Sequence, residues 1–369
     1  MARRVLVISE SFGLGHERAA QALIKGLAMV DPAAEAVHTN SIQRNYPRMT
    51  KYFLGMYLRL INSYPQLWHR IYQEGRSRRE NEGSKQIIYR LLAGGLRRSI
   101  KEYRPHAIVC THPFPAAVIT RFKKQGLDVP LAGIITDYDV HAYWLDKKID
   151  LYIVGDRKLE RDFASFGFEP KAVSGSGIPI DPVFAQKADK EQTRAKLGLA
   201  AKAPVVLVAG GGWGLGDLGR ITRLLAETSK GMQIVVVTGA NAGLEKALRL
   251  SHTGSDRVRI AGMVDNIHDY MAAADVMVTK PGGLTTSEGL AAGLPMVLFD
   301  VLYGQETWNA GFLTGHGAAV KCAGIEGIPL KVWQILANVK ESNRLRECAL
   351  SLGKSGSAVE AADKVLKLA

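Results

Sequence analysis

Disulfide and zinc frameworks both lie outside what this sequence can build. Its three cysteines, Cys110, Cys322 and Cys348, are far apart and in no metal-binding spacing, which points to a reducing compartment. Long apolar runs are also missing, and no window approaches the ~20 residues that a spanning helix needs. The basic start Met1–Arg4 leads into an apolar run, Val5–Ile8, that is too short for a signal-peptide core. The expectation is a chain that is soluble or lies on a membrane without crossing it. No G-X-Y period runs through the 38 glycines and 14 prolines, so collagen-like structure is excluded. Acidic residues are the scarcer charge: 35 against 48 Lys and Arg leave a net charge of +13. Such an excess favours polyanionic partners, namely nucleic acid, anionic lipid or phosphorylated ligands. No recognised nucleic-acid module accompanies it, so no nucleic-acid partner is expected.

What is present is ordinary globular material. With 47% apolar and 22% charged residues, the chain has enough apolar surface to offset chain entropy. Its 369 residues suggest two domains at ~150 residues each. The run Arg4–Ser9 ends near Gly13-Leu14-Gly15, and a helical pattern follows from His16 to about Met29. Strand, glycine turn, helix opens a βα unit. Similar runs recur at Ala107–Thr111, Leu131–Thr136 and Leu151–Val154, then at Pro204–Ala209, Gln233–Thr238, Ala274–Lys280 and Pro295–Asp300. Near-continuous apolar runs suit parallel strands buried on both faces. The Gly/Pro-rich crossing Gly175–Pro182 marks the boundary, dividing the chain into residues 1–180 and 181–369, with the last helix able to cross back. Two sheets joined there are expected to face each other across a cleft, a common ligand site.

Ser41–Pro105 departs from the alternation. It holds 14 Lys/Arg against 4 Asp/Glu, a net +10, with Tyr46, Tyr52, Phe53, Tyr57, Tyr64, Trp68 and Tyr72 interleaved. Tyr and Trp suit a membrane interface, and cationic side chains suit anionic headgroups. The alternative is a solvated helical face with ordinary core aromatics.

Several constellations carry chemistry. At Ala274–Gly293 a strand ends in Gly282-Gly283 and a helix begins with Thr285 and Thr286. The free N–H groups and dipole of such a start attract phosphate. Glu288 could accept hydrogen bonds from a ribose diol, or Thr285-x-x-Glu288 could be a capping box. After the next strand, Gln305, Glu306 and Asn309 stand where open α/β sheets bind ligands, unless this is a plain polar loop. His16 at a helix start suits a general base near neutrality, although a lone histidine is often structural. The third glycine of a dinucleotide fingerprint would fall at Arg18, so NAD is not expected. Thr136–Trp144 gathers Asp137, Asp139, His141 and Trp144 after a strand. Asp-x-Asp suits a divalent metal or a helix cap; the metal-free reading is preferred because basic residues and a helix start already serve the phosphate.

Together these motifs resemble the family-28 glycosyltransferases of the GT-B fold, in the monogalactosyldiacylglycerol synthase and processive diacylglycerol glucosyltransferase group. The resemblance rests on Gly13–Ala20, Thr111-His-Pro-Phe-Pro115, Thr136–Trp144, Gly175–Ile180, Lys280–Thr285 and Gly304-Gln-Glu306, spread in family order over most of the chain. It implies an α/β chain of two doubly wound Rossmann-like domains. It also implies inverting, metal-free transfer of a hexose, glucose or galactose, from a UDP-sugar substrate to diacylglycerol, with no cofactor. On the donor side it implies Gly212, Gly282, Gly283, Thr285, Thr286, Glu288, Gln305, Glu306 and Asn309. His16, or less readily Asp137, would be the catalytic base. His141, Trp144, Tyr57, Trp68, Arg76, Arg78 and Arg79 would serve the acceptor and the anionic membrane lipids. The expected place is cytoplasmic, peripheral on the inner face of the cell membrane, and the oligomeric state is left open. Two rival readings are a UDP-sugar epimerase on the same fold and a non-catalytic nucleotide-sugar sensor at the membrane.

Overall fold

Apolar runs buried on both faces build two separate six-stranded sheets, every pairing in them parallel. The computed structural model describes residues 2–10, 13–46, 48, 52, 55, 82–228, 231–299 and 304–369. Tyr57, Trp68, Arg76, Arg78 and Arg79 lie outside the described residues.

One compact unit comprises Met1–Pro182, Leu302–Gln305 and Gly356–Ala369. Its strands are β1 (Arg4–Ser9), β2 (Glu35–Asn40), β3 (Ala107–Cys110), β4 (Leu131–Ile134), β5 (Leu151–Ile153) and β6 (Val173–Ser174), in the order β2-β1-β3-β4-β5-β6. Alternate residues of β1 feed opposite cores. Val5 and Val7 pack with Leu23 and Leu27, while Leu6 and Ile8 pack with Leu92, Leu96 and Phe122. The helix Leu14–Val30 covers the first face together with the last helix, Ser357–Leu366. These two helices touch closely: a Cβ on Gly26 would stand 2.3 Å from the Ala358 carbonyl oxygen. Ile180 N–H donates to Ser357 Oγ at 3.2 Å, so the departing and returning chain segments are tied together.

The second unit comprises Val183–Val301 and Glu306–Ser355. Its strands are β7 (Val205–Ala209), β8 (Gln233–Val237), β9 (Val258–Ala261), β10 (Val276–Thr279), β11 (Met296–Leu298) and β12 (Ala319–Lys321), in the order β12-β11-β10-β7-β8-β9. Counted from β7, this is the 3-2-1-4-5-6 order of the dinucleotide-binding fold.

Strand order fixes where each sheet can hold a ligand. In an open parallel sheet, ligands bind beyond the carboxyl ends of the strands where the winding direction reverses. That reversal falls between β1 and β3 in the first sheet and between β7 and β10 in the second.

Candidate active site

At the first reversal the chain leaves β1, passes Gly13 in extended backbone and enters the helix Leu14–Val30, which places His16 in its first turn. Loops from three strands fix the ring. His16 Nδ1 lies 2.6 Å from the Thr111 carbonyl oxygen beyond β3 and 3.0 Å from Thr136 Oγ1 beyond β4. Thr111 Oγ1 donates back to the His16 carbonyl at 3.0 Å. A carbonyl can only accept, so Nδ1 carries the proton and Nε2 keeps its lone pair. Burial pushes the His16 pKa down, and the charge of Asp137 and the bond to Thr111 oppose that shift. The result is a neutral imidazole with a basic nitrogen, beside a carboxylate that favours the imidazolium once it forms. His112 stands edge-on to it at 4.7 Å between ring centroids. Burial, and then the neighbouring His16, hold the His112 pKa well below the ordinary value. Its Nδ1 accepts from Phe114 N–H at 3.2 Å, capping the helix Pro113–Lys124.

The two acceptor-side candidates beyond β4 have structural partners of their own. Trp144 is 4% exposed and belongs to the first sheet's core. Its ring fills the space above Gly133, where a Cβ would come within 3.2 Å of it. His141 caps the short turn Ala142–Trp144 by accepting from Tyr143 N–H at 3.2 Å, and stacks on the Tyr143 ring at 5.2 Å.

At the second reversal, β10 ends and Gly282 becomes the N-cap of the helix Gly283–Ala291, with no side chain capping it. The first helical N–H groups are therefore left for a ligand. This start also removes the capping box. The helix begins two residues before Thr285, so Thr285 cannot be its N-cap and Glu288 lies in the second turn, 5% exposed. Of the threonines, Thr286 is fully buried and donates to the Gly282 carbonyl at 2.8 Å, whereas Thr285 is half-buried. Thr286 thus braces the loop. Asn309 is likewise buried, its Nδ2 donating to the Pro281 carbonyl at 3.0 Å, which holds the same loop from behind.

Facing that helix start is the turn after β7. Leu215 N–H donates to the Gly210 carbonyl at 2.9 Å, and the Gly212 carbonyl accepts from Ala240 N–H at 2.8 Å. Gly211 takes φ +69°, which suits a residue without Cβ. Between the two loops lies Lys280, which the residue pattern alone does not single out. Its ammonium pairs with Glu306 Oε1 at 2.5 Å, the two side chains being 13% and 4% exposed. A Cβ on Gly211 would stand 3.1 Å from Lys280 Cε, and one on Gly282 would stand 2.9 Å from Nζ. Trp213 Nε1 in the β7 turn is buried without a hydrogen-bond partner, as is Gln305 Oε1 at the start of the helix Gln305–Gly315. Among the described residues, no cluster of three or more His, Cys, Asp or Glu could hold a metal ion.

Known proteins match this arrangement. Residues 16–180 match the family model for monogalactosyldiacylglycerol (MGDG) synthase, and residues 205–356 match the model for the glycosyltransferase family 28 C-terminal domain. The chain belongs to glycosyltransferase family 28. A curated relative of this family-28 chain, the processive diacylglycerol beta-glucosyltransferase of Bacillus pumilus, is 28% identical over 353 residues, covering 95% of this chain and 91% of the relative. The crystal structure of MurG from Acinetobacter baumannii superposes with a TM-score of 0.61 at 16% identity, covering 99% of each chain. UDP-GlcNAc 2-epimerase from Neisseria meningitidis gives 0.65 at 12% identity, covering 99% of this chain and 100% of the other. Likeness at such identity shows the fold alone, which is GT-B. The N-terminal family match begins at His16 and takes in Thr111, Thr136 and Asp137. The C-terminal match takes in Gly211, Lys280, Gly282, Glu288 and Glu306.

Proposed function

We propose that this glycosyltransferase moves a hexose, glucose in the first instance, from a UDP-sugar to the free hydroxyl of diacylglycerol with inversion at the anomeric carbon. The observation that carries the reading is the near full-length likeness to the processive diacylglycerol beta-glucosyltransferases. His16 supplies the base that such a transfer needs. Its Nε2 takes the proton of the lipid hydroxyl, and the oxygen attacks the anomeric carbon. The bond from that carbon to the diphosphate breaks, and UDP leaves with the electron pair. Because the leaving group gains charge in the transition state, donors aimed at it lower the barrier most. The helix start after Gly282 and the Lys280 ammonium are such donors, so the reading needs no metal and no resident cofactor. The likeness to an epimerase carries the fold alone and lends no support to that rival activity.

The test is UDP release from UDP-glucose with and without diacylglycerol in vesicles. Release that depends on the lipid is expected. Isomerised sugar without lipid would indicate the epimerase, and binding without turnover the sensor.

Glu288 belongs to the donor side of this reading, as the ligand of the ribose diol. Hydrogen bonds to a carboxylate make Glu288→Ala cost about tenfold or more in UDP affinity by calorimetric titration. Unchanged affinity beside a melting point lowered by ~1 kcal/mol of stability would return the carboxylate to a structural role.

The acceptor is bilayer-bound, which places the enzyme peripherally on the inner face of the cell membrane in this reading. No helix among the described residues is long and apolar enough to cross a membrane. Within the basic segment, the helix Glu82–Tyr103 exposes Ile87 and Leu91 together with Arg90, Arg98 and Lys101. Apolar and cationic groups side by side suit an anionic bilayer surface. Co-sedimentation should rise with anionic lipid, fall with salt, and drop when Arg76, Arg78 and Arg79 are neutralised together. Equal binding to neutral vesicles at all salt concentrations would remove the electrostatic part.

A further inference from the structure

We propose that Lys280 is the group that binds the β-phosphate of the donor, and that it does so by exchanging partners with Glu306. The inference rests on the sugar-nucleotide reading given above. The ammonium is held by Glu306 Oε1 at 2.5 Å, its one acid partner among the described residues. A Lys–Glu pair this deeply buried contributes little to folding, because desolvation cancels most of the attraction. Its position is what distinguishes it. The lysine extends from the end of β10 into space kept open by two glycines, with Gly211 on the β7 turn and Gly282 at the helix start. Any side chain at Gly282 would meet the ammonium itself. The uncapped helix start and the ammonium thus converge at the sheet's reversal point, where a diphosphate has both N–H donors and a counter-charge.

Glu306 gives the pair its second use. While it holds Lys280, one of its oxygens is committed. When a diphosphate takes the ammonium, that oxygen becomes free to accept from a sugar hydroxyl. Phosphate binding then prepares the group that reads the hexose, and the donor's two ends are recognised in sequence by one ion pair. A simple nucleoside monophosphate lacks the group that triggers the exchange.

The test is calorimetric titration of wild type, Lys280→Met, Lys280→Arg and Glu306→Gln with UMP, UDP and UDP-glucose, with a thermal melt of each variant. Lys280→Met should weaken UDP binding by about tenfold to a hundredfold and leave UMP binding within about twofold, and Lys280→Arg should recover part of the loss. Glu306→Gln should act in the opposite direction on UDP. With its competitor gone, the ammonium binds UDP several-fold more tightly, while the preference for UDP-glucose over UDP shrinks. UDP binding unchanged in Lys280→Met, or weakened in Glu306→Gln as much as in Lys280→Met, would overturn the exchange. A wild-type protein that binds no UDP would instead refute the sugar-nucleotide reading on which it stands.

Discussion

Replacing His16 by alanine should lower turnover by ~100- to 10,000-fold while UDP affinity stays near wild type. The ring belongs to the first sheet and is fixed through Nδ1 by the Thr111 carbonyl, so its loss removes a proton acceptor and no donor contact. A variant that turns over at the wild-type rate under saturating substrates would eliminate it as the base. The pH profile carries the same claim with a sign. Burial holds the His16 pKa below its ordinary ~6.5. The rate should therefore be level above neutrality and decline only as acid converts the ring to imidazolium, which cannot accept a proton. Asp137 raises that pKa, so Asp137→Asn should slide the acid limb to lower pH as well as slow the reaction. If Asp137 were itself the base, the asparagine variant would be inactive and no limb would move.

Ending the chain at Gly356 should unfold the first unit or nearly so. The helix that is lost buries Ala358, Ala361, Ala362 and Val365 completely and leaves Leu366 3% exposed. Burial of the Val365 and Leu366 side chains alone is worth ~1.5–3 kcal/mol each. A whole domain is stable by only ~5–15 kcal/mol. The first unit's melting transition should fall by about 10 °C or more. The helix Leu14–Val30, which starts beside His16, would lose its cover and the ring its placement. Melting and hydrogen exchange on the truncated chain decide this. An unchanged transition would mean that the last helix is a passenger on the first sheet.

The fold was legible where strands are buried on both sides. The eight apolar runs of the sequence are β1, β3, β4, β5, β7, β8, β10 and β11, the interior strands of the two sheets. The four strands that the pattern does not reveal, β2, β6, β9 and β12, are the four edges. Edge strands are paired on one side only and tolerate polar letters, as in Glu35-Ala-Val-His-Thr-Asn40, whose first four residues alternate between exposed and half-buried. The donor helix was legible as strand, glycine pair and hydroxyl residues. Its exact start was not, because Thr285-x-x-Glu288 imitates a cap that the backbone does not use. His16 could be singled out, but its supports could not: Thr111 and Thr136 are 95 and 120 residues away and meet it only through the order of the strands. Trp144 shows the converse. A tryptophan among polar residues looks like an interface group, and the missing side chain at Gly133 that gives it room in the core lies eleven positions earlier, on β4.

The measurement that reaches the centre of this account is the structure of the lipid product formed from UDP-glucose and diacylglycerol vesicles. Mass spectrometry and the anomeric proton coupling should show hexosyl-diacylglycerol with a β linkage, the outcome of one displacement on an α-linked donor. An α-linked product, or free or isomerised sugar in place of glycolipid, would contradict inverting transfer to the lipid.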